Sequence, residues 1–177
     1  MKILIITHEY PPKTGGVSKY TYFLTNELAK RGNEVIVIYP EFHRGIRRPS
    51  MEIAHLNNNS TIKTYKVKFS VMNKIRKILS INSSYYDSSA EKIITEIIDK
   101  EKPHIVHINH LLYLSATIVE KILQRKIPII ITLHDFWFVC PNIHLLDYTL
   151  KTCEKPCNAT KCQKCFCILR VKQILDN

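Results

Sequence analysis

The residues best suited to chemistry fall in three short stretches. Leu133 to Pro141 reads LHDFWFVCP and sets an imidazole, His134, beside a carboxylate, Asp135, among aromatic rings. Such a pair can hold a hydroxyl-rich ligand, exchange protons or steady developing charge, and aromatic faces suit sugar rings. A packed loop in which His134 merely caps a strand is the plain alternative. The second stretch, His8 to Gly16, reads HEYPPKTGG. Gly15 and Gly16 lack Cβ atoms, so the backbone can approach a ligand closely and present N–H groups, with the positive end of a following helix behind them. Phosphate suits that geometry, although a flexible turn before a helix would also explain the pair. The spacings GxGxxG and GxxxxGK[ST] are both absent. The third stretch is Asn109-His110, just past an apolar run in which His107 reads as a core histidine.

The elements around these stretches place them together. Lys2 to Thr7 (KILIIT) is a run typical of a strand buried on both faces. Val17, Tyr20, Leu24 and Leu28 follow at helical steps with Gly32 just past the last turn, and Glu34 to Tyr39 (EVIVIY) is a second buried strand. This is a β-α-β unit, right-handed with parallel strands. Ser88-x-x-Glu91 reads as a capping box for a helix striped with Ile93, Ile94, Ile97 and Ile98, ended by Pro103. A strand at His104 to Ile108, a helix at Leu114 to Arg125 and a buried strand at Ile127 to Leu133 complete the alternation. The expected fold class is α/β, a Rossmann-like parallel sheet with helices on both faces and a Cys-rich C-terminal tail. Ligands bind at the carboxyl ends of the strands of such a sheet, where all three stretches map, so one crevice can hold them.

Charge and composition narrow the classes. With 177 residues and 45% hydrophobic content the chain can bury one good core. The opening apolar run is too short for a signal peptide, and no stretch approaches the roughly 18 apolar residues of a membrane span, which predicts a cytoplasmic protein. Between residues 43 and 80 there are nine Lys or Arg against one acid, Glu52, which supplies +8 of the net +11. A loop over Pro40 to Ser60 is expected there, then a half-exposed strand with Tyr65, Val67 and Phe69 inward, then a helix over Val71 to Leu79. That helix has Met72, Ile75, Ile78 and Leu79 on one side and Lys74, Arg76 and Lys77 towards the other. Such a stretch can lie on an anionic membrane surface, grip an acidic substrate, or be an ordinary solvated face over core anchors. Nucleic acid is disfavoured, because no recognition motif accompanies the basic residues. Five cysteines close the chain, Cys153, Cys157, Cys162, Cys165 and Cys167, with Cys140 upstream. Their spacing fits a structural zinc on Cys153, Cys157, Cys162 and Cys165, with disulfides, free thiols or an iron–sulfur cluster as alternatives.

The opening KILIITHEYPPKTGGVSKYTYFLTNELAKRGNEVIVIYP, the PHIVHINH strand and ITLHDFWFVCPN resemble the N-terminal domain of a family-4 glycosyltransferase of the GT-B architecture. The resemblance covers nearly the whole chain. It implies polysaccharide biosynthesis by transfer of a sugar from a nucleotide-sugar donor to a saccharide or lipid-linked acceptor, with retention and without a metal in the chemistry. It maps donor phosphates to Gly15 and Gly16, and contact with the transferred sugar to His134, with Asp135 beside it as the catalytic pair. Acceptor contacts in this domain fall to His8, Glu9, Asn109, His110 and Trp137. Several members work at membranes, which would give the basic segment a purpose.

The family's second, donor-binding domain, with its basic pair and E-x7-E motif, has no counterpart in this sequence. The expectation is an acceptor-side domain over 1–150, incomplete at its C-terminal end, followed by a Cys-rich segment and helix over 151–177. The donor-binding domain would come from the same gene or a separate chain, and 1–177 alone would be inactive. The rival reading is a non-catalytic, zinc-stapled binding module for an anionic partner.

Overall fold

Buried β-branched runs form a central sheet, and the computed structural model describes residues 1–54, 62–153 and 159–175 around it. The elements in chain order are β1 (Lys2–Ile6), α1 (Gly16–Lys30), β2 (Glu34–His43), β3 (Ser50–Ala54), β4 (Ile62–Ser70), α2 (Val71–Leu79), α3 (Ile81–Tyr85), α4 (Ser88–Glu101), β5 (Ile105–Ile108), α5 (Ile118–Gln124), β6 (Ile129–Ile131) and α6 (Ala159–Leu175). The sheet order is β3-β4-β2-β1-β5-β6. All pairings are parallel except β3 with β4, an antiparallel edge.

Alternate residues of β1 and β2 serve two cores. Leu4, Ile6, Ile36 and Ile38 meet α4 and α5 through Ile94, Ile97, Ile98, Ile118 and Ile122. Ile3, Ile5, Val35 and Val37 point the other way, to Ala29 of α1 and to Tyr10. Each such side chain fully buried contributes on the order of 1.5–3 kcal/mol, so β1 is fixed from both faces. The Rossmann-like expectation holds, with helices on both faces.

Local readings that the structure changes have identifiable causes. The face of α1 on the sheet is Ser18, Thr21, Thr25 and Ala29, whereas Tyr20 is exposed. Small residues let the helix approach closely, and the Thr21 and Thr25 hydroxyls donate back to the Val17 and Tyr22 carbonyls, so none is buried unsatisfied. Asp87, not Ser88, caps α4, accepting from the Ala90 N–H at 2.9 Å, while Glu91 turns to Thr117 and Lys121. β2 runs on to His43 and β3 follows where a loop was expected. α5 is shorter than expected, and β6 is a half-exposed edge strand rather than a buried one.

The helix α2 forms over the expected residues but faces the other way. Lys77 is buried, 2.6 Å from the Asp87 carboxylate, with its ammonium over the Phe69 ring and donating to the Tyr113 carbonyl. Met72, Ile75 and Leu79 are left 70%, 41% and 50% exposed. Asp87 is held inside by its capping bond, and a buried carboxylate needs a counter-charge; that requirement outweighs burial of a short aliphatic stripe.

Candidate functional site

β1, β5 and β6 are neighbours in the sheet, so the loops after their carboxyl ends share one edge. His8, Glu9 and the glycine pair follow β1; Asn109 and His110 follow β5; His134 and Asp135 follow β6. The rings of His8 and His110 lie 4.3 Å apart, and His134 meets the Tyr20 ring edge-on at 4.8 Å. The three expected stretches therefore do come together.

Within that cluster the structure separates framework from free groups. The Leu112 N–H donates to His110 Nδ1 at 2.9 Å, so the ring proton sits on Nε2, which donates to Asp135 Oδ2 at 2.9 Å. The other oxygen of Asp135 accepts from the Trp137 N–H at 2.8 Å. Asn109, buried, donates to Thr21 Oγ1 at 2.9 Å and ties the end of β5 to α1. Trp137 is 0% exposed, stacked on Tyr85 at 4.5 Å, with the Tyr85 hydroxyl donating to its carbonyl. Asn109, His110 and Trp137, expected at a ligand, are all buried here; both ring nitrogens of His110 are engaged by the protein, whereas Asn109 Oδ1 and Trp137 Nε1 have no partner among the described residues. Both oxygens of Asp135, expected beside His134 as a catalytic pair, are engaged by the protein. The aromatic rings that do reach the surface beside the site are Tyr20, Phe136 and Phe138.

Groups with free capacity in the cluster include His134, His8, Asn109 Oδ1 and Trp137 Nε1, beside Glu9 and the glycines. His134 Nε2 and His8 Nδ1 are buried without a partner among the described residues. Burial pulls the His8 pKa down to about 3, helped by His110, Lys13 and His134. Burial likewise lowers His110 and His134, in both cases against the opposing pull of Asp135. All three rings are therefore neutral near pH 7, able to donate through one nitrogen and accept through the other. Glu9 folds over Gly15, so that a Cβ on Gly15 would meet its carboxylate. A Cβ on Gly16 would meet nothing within 4 Å, and Gly16 has no positive φ. Neither packing nor backbone conformation requires glycine at 16, and the space beside it is open to an approaching group. No side chain caps the first turn of α1.

His107 is a satisfied histidine, its Nε2 2.8 Å from Thr132 Oγ1. Sequence reasoning read Tyr20 as part of an apolar stripe and missed Thr21, for which the recurrence of Ser18, Thr21, Thr25 and Ala29 at helical steps was the signal. In the tail, Cys162 and Cys165 stand one turn apart on α6, Cys165 buried and Cys162 half-buried, with Cys153 half-buried before it. Among the described residues no three His, Cys, Asp or Glu side chains gather as metal ligands would, and Cys157 lies outside the described residues. No helix among the described residues is long and apolar enough to cross a membrane.

A family model described as Glycosyltransferase Family 4 matches residues 14–168. An uncharacterized 42.6 kDa protein in the cps region of Klebsiella pneumoniae is 27% identical over 146 residues, 81% of this chain and 39% of that protein. The fold resembles an α,α-trehalose-phosphate synthase (UDP-forming) from Burkholderia xenovorans, solved with glucose-6-phosphate, at TM-score 0.51 and 7% identity over 76% of this chain and 34% of that one. A weaker likeness, TM-score 0.47 at 14% identity, covering 77% of this chain and 34% of the other, is to the catalytic domain of starch synthase IV from Arabidopsis thaliana, bound to ADP and acarbose. The chain spans well under half the length of each of these proteins.

Proposed function

The chain belongs to glycosyltransferase family 4, and from that premise we propose that it is the acceptor-side part of a retaining enzyme that moves a sugar from a nucleotide-sugar donor to a saccharide or lipid-linked acceptor. A donor-binding domain, in the same gene or a separate chain, would complete the cleft. A role in polysaccharide assembly draws support from the relative in a cps region. The observation that carries the reading is the pairing of an unpartnered, neutral His134 Nε2 with an open glycine at the start of α1, on one sheet edge.

In this reading the donor diphosphate lies against Gly15 and Gly16, where the uncapped first turn of α1 offers N–H groups and the positive end of its dipole to the departing charge. Glu9 swings away from Gly15 to admit it. His134 reaches a hydroxyl of the transferred sugar, fixing the anomeric carbon towards the acceptor oxygen that attacks it. His110 and Asp135 hold the loop that carries His134. Tyr20, Phe136 and Phe138 offer ring faces to the acceptor. The tail zinc stays a proposal that requires Cys157, the one ligand of the four outside the described residues.

The test uses the enzyme with its donor-binding domain present. His134→Ala should lower turnover by on the order of 10² or more while the melting temperature stays put. Gly16→Val should raise the donor KM, since the new side chain enters space that only a ligand would occupy. Isolated 1–177 should transfer no sugar. Normal turnover by both folded variants sinks the site assignment, and turnover by the purified chain alone sinks the half-enzyme reading.

A further inference from the structure

The carboxylate of Glu9 lies where the sugar-transfer reading puts a phosphate. A Cβ on Gly15 would have the carboxylate atoms of Glu9 as its three nearest neighbours, so glycine at 15 is what lets Glu9 lie there. Gly15 is also the N-cap of the 15-residue helix α1, it supplies no side-chain cap, and the first turn of α1 carries no acid. The negative charge that complements this helix end therefore comes from Glu9. The backbone under that charge is fixed. The Glu9 carbonyl accepts from the Thr7 hydroxyl at 3.0 Å, and the next residue, Tyr10, is buried with its hydroxyl 2.9 Å from Thr25 Oγ1. The Glu9 side chain is held far less firmly, 29% exposed and 3.6 Å from the neutral His8 ring, outside hydrogen-bond reach. Leaving Gly15 takes rotation about side-chain bonds and no movement of the loop.

We propose that Glu9 is a built-in plug of the phosphate site, a carboxylate that keeps single-phosphate anions out of the glycine loop and yields to the diphosphate of a nucleotide sugar. The inference rests on the transferase reading of that loop. A plug that must leave before any anion enters weakens every anion by the same factor, the fraction of chains found open. Orthophosphate, which trades one anion at the helix end for another, then falls below useful affinity. A diphosphate brings more charge and a second phosphoryl group for the open space beside Gly16, so it still enters. Lys13, on the same loop, is near enough to feel the charge of Glu9, so the released carboxylate keeps a cation nearby. Glu41 also acts on Lys13 but stands on β2, away from Gly15, which makes it the control for charge without plugging.

The experiment follows the amide resonances of Gly15 and Gly16 in the 1–177 chain during titration with orthophosphate and, separately, with pyrophosphate, both free of metal. The parent is compared with Glu9→Ala, Glu9→Gln and Glu41→Gln, each checked for a native melt. Glu9→Ala should tighten both anions, by on the order of tenfold if the plugged state holds about nine-tenths of the parent, and by the same factor for each. Glu9→Gln, which keeps the length and loses the charge, should gain in the same sense, and Glu41→Gln should gain little. Simple repulsion at a distance would instead favour the more highly charged pyrophosphate. A second measurement needs no ligand: Gly15→Ala should lower the urea midpoint of the parent and not that of Glu9→Ala, because the clash it creates is with Glu9 alone. The plug is overturned, with the transferase reading left standing, by no gain in Glu9→Ala, by a larger gain for pyrophosphate than for orthophosphate, by an equal gain in Glu41→Gln, or by a Gly15→Ala cost that Glu9→Ala does not remove. Failure of pyrophosphate to move either glycine in any of these chains sinks the phosphate assignment of the loop itself, and the plug with it.

Discussion

Replacing Asp135 by asparagine tests the framework beneath the site with a change of only one atom. The carboxylate accepts from two donors, His110 Nε2–H and the Trp137 N–H, at 2.9 and 2.8 Å. An amide can accept from one and must present its own N–H to the other. Moving the ring proton does not relieve the clash: Nδ1 of His110 already accepts from the Leu112 N–H at 2.9 Å, so protonating it there sets two donors face to face. Every arrangement leaves one buried donor unmatched, a cost of about 1–3 kcal/mol, and the lost charge-assisted bond adds towards the upper end. Because the Asp135 side chain is 26% exposed, water recovers part of that, and about 2 kcal/mol is expected. Urea unfolding of the 1–177 chain measures it as a lower midpoint at constant slope. In a double-mutant cycle Asp135→Asn should cost less in a His110→Phe background than alone, because the donor it offends is gone. The imidazole nitrogen shifts of His110 should report the proton on Nε2 in the parent chain. Equal midpoints for parent and Asp135→Asn, or a proton found on Nδ1, would refute the tautomer argument and the positioning role built on it.

Lys77→Met should destabilise the chain by about 3–5 kcal/mol by stranding the buried Asp87 carboxylate, and adding Asp87→Asn, which can still cap α4, should restore part of it; a denaturation midpoint unchanged by Lys77→Met refutes this. Acid should destabilise the fold from about pH 6.5 downward, because the unfolded His8 takes a proton there while the folded one, pulled down to about 3, does not, so stability rises with pH across that window. At pH 5 His8 alone accounts for about 2 kcal/mol, and His8→Phe should flatten the pH dependence by that amount; an identical profile rules the assignment out. If the tail binds structural zinc, elemental analysis of reduced, purified protein finds about one zinc per chain and a chelator loosens α6 without melting the sheet; metal-free protein of unchanged stability rejects the site.

Much of this architecture is legible in local pattern. Continuous β-branched runs become the buried strands β1, β2 and β5, because only a strand covered on both faces lacks a polar side. The β-α-β handedness then puts the loops after β1, β5 and β6 on one edge, which is why His8, His110 and His134 could be placed together before any coordinate. Pattern misled where a local rule met a distant partner. The apolar stripe of α2 had every local reason to face the core, and α1 every reason to bury Tyr20.

What the chain determined by itself was therefore the elements, their order and the edge on which chemistry could occur, since these follow from side-chain periodicity within windows of ten or so residues. What only the tertiary structure decided was which members of that edge are free. Asn109 Nδ2 is engaged by Thr21, 88 residues away, while its Oδ1 has no partner among the described residues; His110 is engaged by Asp135, 25 away; and the Trp137 carbonyl by Tyr85, 52 away. Lys77, ten positions from Asp87, faces inward because the capping carboxylate is fixed there. Hydrogen-bond satisfaction and the pairing of buried charge are set by groups that the fold alone brings within about 3 Å, and no periodicity along the chain encodes them.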